Sequence, residues 1–202
     1  MDFYHTIEEG GTAEFKDRGS KFLAFTFCIR NTTEFKEQLQ LVKKAHPKAA
    51  HLCYAYRIGY DGVQFRSGDD GEPSGSAGKP ILGQIDSLNL TDTLVIVVRY
   101  FGGTLLGIPG LIHAYKTAAV LALQCSHIIQ RPIEVHYQIQ FNYTEINEVM
   151  RVMKKFQCRI FNNEMKLFCA MEVGIPRFRL QEVLYGLENI PHLSFSPTSS
   201  PT

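Results

Sequence analysis

The hydrophobic pattern changes period several times along the chain, and each change marks an element. Residues 94–98 (LVIVV) are five consecutive apolar residues, mostly β-branched, the pattern of a strand buried on both faces. Arg99 and Tyr100 close it with a fixed charge and a phenol. Gly102 and Gly103 let the backbone turn freely and come close to a neighbour. Gly107, Pro109 and Gly110 follow, with Pro109 suited to the first position of a helix. That helix is predicted to run to about residue 123, with Leu111, Tyr115, Ala118, Ala119 and Ala122 on one face. A strand, a glycine turn and a helix start can together present backbone N–H groups to an anion.

Upstream, residues 14–19 are charged and read as a link from an N-terminal edge. Residues 21–29 are aromatic-rich and strand-like. Asn31, Thr32 or Thr33 can cap a helix reaching about residue 45, with Phe35, Leu39 and Val42 inward and Pro47 stopping it. Residues 51–60 alternate as a strand, Asp61-Gly62 signals a hairpin, and residues 63–66 return. Residues 68–80 (GDDGEPSGSAGKP) read as a polar loop, and residues 81–88 as a short helix. After Arg131-Pro132 the order is strand (133–143), helix from Thr144, strands at 158–161 and 166–173 around an Asn162-Asn163 turn, then a helix marked by Leu180, Val183, Leu184 and Leu187. With a last strand at 193–195, this is the order of a ferredoxin-like split βαβ. The pattern places a boundary near residue 130, giving expected domains 1–130 and 131–202.

Composition narrows the function classes. The 202 residues carry 21 basic and 20 acidic side chains, a net charge of +1, so any nucleic-acid binding needs a local patch. No apolar run reaches the length of a membrane span, and the acidic, polar start does not read as a signal or transit peptide. Five widely spaced cysteines without a CxxC read as reduced thiols, which suggests a cytoplasmic protein.

Two stretches, DDGEPSGSAGKPIL at 69–82 and VVRYFGGTLLGIPGLIHAY at 97–115, closely resemble the two signatures of the YigZ/IMPACT family. The resemblance implies an α+β protein. Its N-terminal domain would be an α/β sandwich with the fold of the second domain of a ribosomal small-subunit protein, also used by domain IV of elongation factor G. Its C-terminal domain would be ferredoxin-like, resembling another domain of that factor. Eukaryotic relatives regulate translation by competing for an activator of a starvation-sensing initiation-factor kinase. They carry an extra N-terminal domain absent from these residues, so that partner is not carried over. Two positions depart from the family pattern: Pro109 stands where glycine is usual, and His113 where arginine is frequent, removing a permanent charge.

The candidate chemistry sits in the two signature stretches. Asp69, Asp70 and Glu72 put three carboxylates in four residues, a pattern that serves either a hard cation or an Asx-type turn with an ion pair to Arg99. No EF-hand spacing follows, and no metal is expected. Ser74 and Ser76 lack the GxSxG context of a hydrolase nucleophile. Gly78-Lys79 fails the phosphate-loop pattern, because Pro73 and Pro80 replace the leading glycine and the hydroxyl residue. His46 and His51 lack zinc spacing and read as strand-edge histidines. Arg99 pairs well with phosphate and Tyr100 can stack on a base, while Lys79, Lys116 and His113 lie beside them in the pattern. The expected site is therefore one groove between the two stretches, formed by Asp70, Glu72, Ser74, Ser76, Lys79, Arg99, Tyr100, Gly102, Gly103, His113 and Lys116, with Arg99 paired to Asp70 or Glu72.

Two function classes follow. The favoured one is a non-enzymatic, translation-linked regulator binding RNA, the ribosome or a translation factor, without DNA sequence specificity, membrane or cofactor. The other is an enzyme acting on a nucleotide or other phosphorylated small molecule at the same loops. Catalytic residues and oligomeric state are left open.

Overall fold

A computed structural model describes residues 2–198. The chain divides into two compact units, Tyr4–Arg131 and the residues from Pro132 onward with Asp2 and Phe3.

The first unit is built on a five-stranded antiparallel sheet. Its strands are β2 (Thr12–Asp17), β3 (Ser20–Cys28), β4 (His51–Ile58), β5 (Gln64–Gly68) and β6 (Thr93–Tyr100), in the order β2-β3-β6-β4-β5. A separate two-stranded pair joins β1 (Phe3–Glu9) to β7 (His127–Pro132). The uninterrupted apolar run of β6 reflects its central place, with both faces covered. On one face Leu94, Ile96 and Val98 pack against Phe35 and Val42 of α1 (Thr32–Ala45). On the other, Val95 and Val97 meet Ile81 and Ile85 of α2 (Gly78–Ser87), and Leu111, Tyr115 and Ala118 of α3 (Gly107–Gln124). The Asn31 side chain caps α1, accepting from the N–H groups of Thr33 and Glu34.

Three local expectations need correction. Residues 12–17 form an edge strand, not a link: Glu14 faces outward and its carboxylate meets Lys16 and Lys21 at 2.9 and 2.6 Å. Helix α2 begins three residues before the expected start, inside the glycine-rich stretch. Helix α3 begins at Gly107, which has φ +70°, so Pro109 is its third residue. A proline is tolerated there because first-turn N–H groups have no partner within the helix.

The second unit has the element order β8 (Glu134–Asn142), α4 (Ile146–Lys155), β9 (Arg159–Glu164), β10 (Phe168–Pro176), α5 (Leu180–Glu188) and β11 (Ser194–Pro197). Its sheet runs β11-β8-β10-β9, all antiparallel, and is ferredoxin-like. Val149 and Met153 of α4 and Val183 and Leu187 of α5 cover Ile139, Phe141, Met171 and Val173 of the sheet. Asn162 and Asn163 lie within edge strand β9 rather than at a turn; the chain reverses after Glu164. Among the described residues no helix is long and apolar enough to cross a membrane.

Candidate functional site

The alternation of β6 fixes the site. Successive side chains of a strand point to opposite faces, so Arg99 and Tyr100 separate. Arg99 continues the row of Val95 and Val97 towards α3, while Tyr100 joins Leu94, Ile96 and Val98 on the α1 side. There the Tyr100 hydroxyl lies 2.8 Å from His46 Nδ1. The expected grouping of Tyr100 with Arg99 in one groove is thus corrected by the two-residue period of the strand.

Arg99 is 5% exposed, and its charge is met by Glu72 of the first signature stretch. Arg99 Nη1 donates to Glu72 Oε1 at 2.6 Å, and the Tyr115 hydroxyl donates to the same oxygen at 2.8 Å. Arg99 Nη2 reaches Ser20 Oγ at 3.4 Å, and the guanidinium carbon lies 5.6 and 5.5 Å from the ring centroids of Phe22 and Phe101. Burial pushes the Tyr115 phenol well above its ordinary range, with the neighbouring Cys53 and Glu72 adding to the effect. The Cys53 thiol donates to the Asp69 carbonyl at 3.0 Å, and burial pushes it up to about 12. Such a pair of buried opposite charges needs this kind of hydrogen bonding to offset its desolvation.

The other two carboxylates do structural work. Asp69 accepts from the N–H groups of Gly75, Ala77 and Gly78 at 2.8, 3.1 and 2.8 Å, capping α2 from outside its own chain run. Burial alone would raise its carboxyl, but these three bonds outweigh burial and hold it below the usual range. Asp70, at φ +42°, accepts from the Leu52 N–H at 2.7 Å, and its carbonyl meets His51 Nδ1 at 2.8 Å. Of the two partners expected for Arg99, Glu72 holds the place and Asp70 is tied to β4 instead.

A cavity of about 490 Å³ opens above the pair. His51, Glu72 and Arg99 line it together with apolar residues of both stretches: Pro73, Phe101, Leu105, Leu106, Ile108 and Leu111. Leu105 is 82% exposed, and Ile108 and Phe101 about half exposed, so apolar surface continues from the cavity to solvent. Gly102 makes this possible. A Cβ there would lie 1.9 Å from the Gly19 carbonyl carbon, so the turn between β2 and β3 packs directly on its backbone. Gly103 faces open space but has φ +85°.

The remaining candidates do not converge on this cavity. Ser74 is exposed, and Ser76 is buried with its hydroxyl donating to the Pro73 carbonyl at 2.6 Å. Lys79, His113 and Lys116 are exposed and outside the cavity lining; the His113 ring packs edge-on to Phe15 at 6.0 Å. For Lys116 the reason is helical spacing, since Tyr115 is on the inner face of α3 and Lys116 is turned about 100° away. His51, Ser20, Cys53 and Tyr115 join the site although they were not among its expected members. Tyr115 carried a signal: a phenol within a stripe of buried alanines needs a hydrogen-bond partner. Among the described residues no group of three or more His, Cys, Asp and Glu is placed to hold a metal ion.

Comparison with known proteins settles the family. The model of the Impact N-terminal domain matches residues 18–123, just over half the chain. The chain belongs to the IMPACT family. The IMPACT family member YvyE of Bacillus subtilis (strain 168) is 34% identical over 154 residues, covering 76% of this chain and 71% of that protein. The IMPACT family member YigZ of Escherichia coli (strain K12) is 31% identical over 169 residues, covering 83% and 81%. A crystal structure described as that of a hypothetical protein matches over the full length of both chains, with 26% identity and a TM-score of 0.78. The Impact N-terminal domain match takes in every residue lining the cavity, together with Ser20 and Tyr115.

Proposed function

We propose that this IMPACT-family chain is a non-enzymatic, translation-linked regulatory protein that binds a protein partner, a translation factor or a ribosomal protein, through the cavity between its two signature stretches. The observation that carries the reading is the cavity's make-up. Its walls are apolar, its rim is exposed and apolar, and its charges at the floor are already paired. Such a surface suits an inserted side chain better than a phosphate backbone, which calls for unpaired cations. The exposed cations Lys79 and Lys116 lie outside the lining. The link to translation rests on the family resemblance of the two signature stretches. Binding rather than catalysis is supported by the nucleophile candidates. The Cys53 thiol is held protonated by burial, and the Ser76 hydroxyl donates to a carbonyl with no base beside it.

The test is a titration of the full chain with purified ribosomal subunits, initiation factors and elongation factors, beside a thermal-shift series with nucleotides and Mg²⁺. The reading expects saturable association with one translation component that survives raised salt, and no nucleotide shift. A saturable nucleotide shift without any such association overturns it in favour of a nucleotide enzyme.

A further inference from the structure

The floor of the cavity holds two acceptors that lack a donor and one buried donor, Arg99 Nε, that lacks an acceptor, and this restricts what the cavity can hold. Glu72 Oε1 takes both the Arg99 and Tyr115 hydrogen bonds, while Oε2 accepts none from the described residues. The Glu72 side chain is 3% exposed and lines the cavity, so the cavity is where its second oxygen can find a donor. His51 supplies another acceptor. Its Nδ1 lies 2.8 Å from the Asp70 carbonyl oxygen, which can only accept, so Nδ1 carries the proton. In the neutral imidazole Nε2 is then a bare acceptor, 4.0 Å from Glu72 Oε1 and part of the same lining.

From these observations we propose that the cavity recognises an uncharged N–H donor group on an apolar stem, the group that a glutamine or asparagine side chain of a partner protein presents, and that Glu72 and His51 read it. The inference rests on the protein-binding reading above and adds the chemistry of the inserted group. A carboxylate head is repelled by Glu72 and finds a single unpaired donor, the buried Arg99 Nε, for its two oxygens. An ammonium head meets a carboxylate whose charge Arg99 already balances, so a cation is desolvated beside a guanidinium with no counter-charge left. A primary carboxamide brings two N–H donors, one carbonyl acceptor and no net charge, which matches two unpaired acceptors and the unpaired Arg99 Nε in an apolar wall.

Three probes sharing one hydrocarbon tail separate the possibilities: hexanamide, hexanoate and hexylammonium. Each is titrated into the ¹⁵N-labelled full chain at a pH of about 8, where an ordinary imidazole is neutral, following the amide signals of Phe101, Leu105 and Ile108. The expected result is that hexanamide binds about tenfold more tightly than either charged probe, the size of one or two matched hydrogen bonds. The variant His51→Leu should lose most of that preference while still binding the tail. Equal binding of the three probes at these amides leaves the apolar cavity in place and overturns the donor inference. Tighter binding of either charged probe overturns it as well. Failure of all three to move the cavity amides overturns both this inference and the cavity as a binding site.

Discussion

Replacing Glu72 with glutamine is the sharpest probe of what holds the two signature stretches together. In the substituted protein Arg99, 5% exposed, keeps its burial and loses its counter-charge. Breaking a buried pair from one side costs about 3–5 kcal/mol. The lower end applies here, because the cavity beside the pair lets water reach the guanidinium. The variant Arg99→Met should cost a similar amount by stranding the carboxylate. The double variant Glu72→Leu, Arg99→Met removes both charges and strands only the Tyr115 hydroxyl, a loss of about 1–3 kcal/mol. Adding Tyr115→Phe should recover most of that. The assay is urea unfolding of the full chain followed by tyrosine fluorescence, since the sequence has nine tyrosines and no tryptophan. Midpoints are compared at unchanged m-value. If Glu72→Gln costs under about 0.5 kcal/mol and the separate costs of Glu72→Leu and Arg99→Met add up to that of their double variant, the pair is not what ties these stretches, because additivity marks independent sites.

Other expected outcomes are simpler. Gly102→Ala should cost about 1–3 kcal/mol by collision with the backbone of Gly19 and Ser20, whereas Gly103→Ala should cost about 1–2 kcal/mol through its φ of +85° alone, and thermal unfolding ranks the two. Asp69→Asn should lose about 1 kcal/mol by weakening the cap of α2. The Asp69 carboxyl is held below its unfolded value, so its contribution is fully present above that value, about pH 4, and is lost as pH falls through the lower folded value. Acid titration of the wild type against Asp69→Asn, with the wild-type advantage shrinking below about pH 4, checks the sign. Iodoacetamide at about pH 8 should modify exposed Cys125 well before buried Cys53, read by peptide mass spectrometry.

The elements were legible where one period dominated. Residues 94–98 read as a strand buried on both faces, and the run Asn31-Thr32-Thr33 announced the start of α1, where Asn31 takes the cap. Strand β2 was not legible, because an edge strand with one side in water carries charged residues that read as a link. Asn162 and Asn163 misled for the same reason, an edge strand tolerating what usually marks a turn. The site was half legible. The spacing of Asp70, Glu72 and Arg99 pointed to an ion pair between the stretches, but which carboxylate took it depended on backbone donors that only the fold supplies. Arg99 and Tyr100 are adjacent in sequence and share the expected groove, but a strand sends them to opposite faces. Lys116 belongs to the same expected groove, yet the helix turns it about 100° from the buried Tyr115 that does reach the site.

The central claim is that the apolar-walled cavity over the Arg99–Glu72 pair, and not the lysine-bearing surface outside it, is where this IMPACT-family protein meets its partner. Leu105 stands 82% exposed on the cavity rim, so Leu105→Asp changes the rim without touching the core. The measurement is the dissociation constant for the translation component that binds, in about 0.15 M salt, for wild type, Leu105→Asp and the pair Lys79→Ala, Lys116→Ala. The account predicts that Leu105→Asp weakens binding at least about tenfold, the loss of an apolar anchor at an interface, while the lysine pair stays within about threefold. Strong loss in the lysine pair with Leu105→Asp unchanged would contradict it and move the interface to the charged surface.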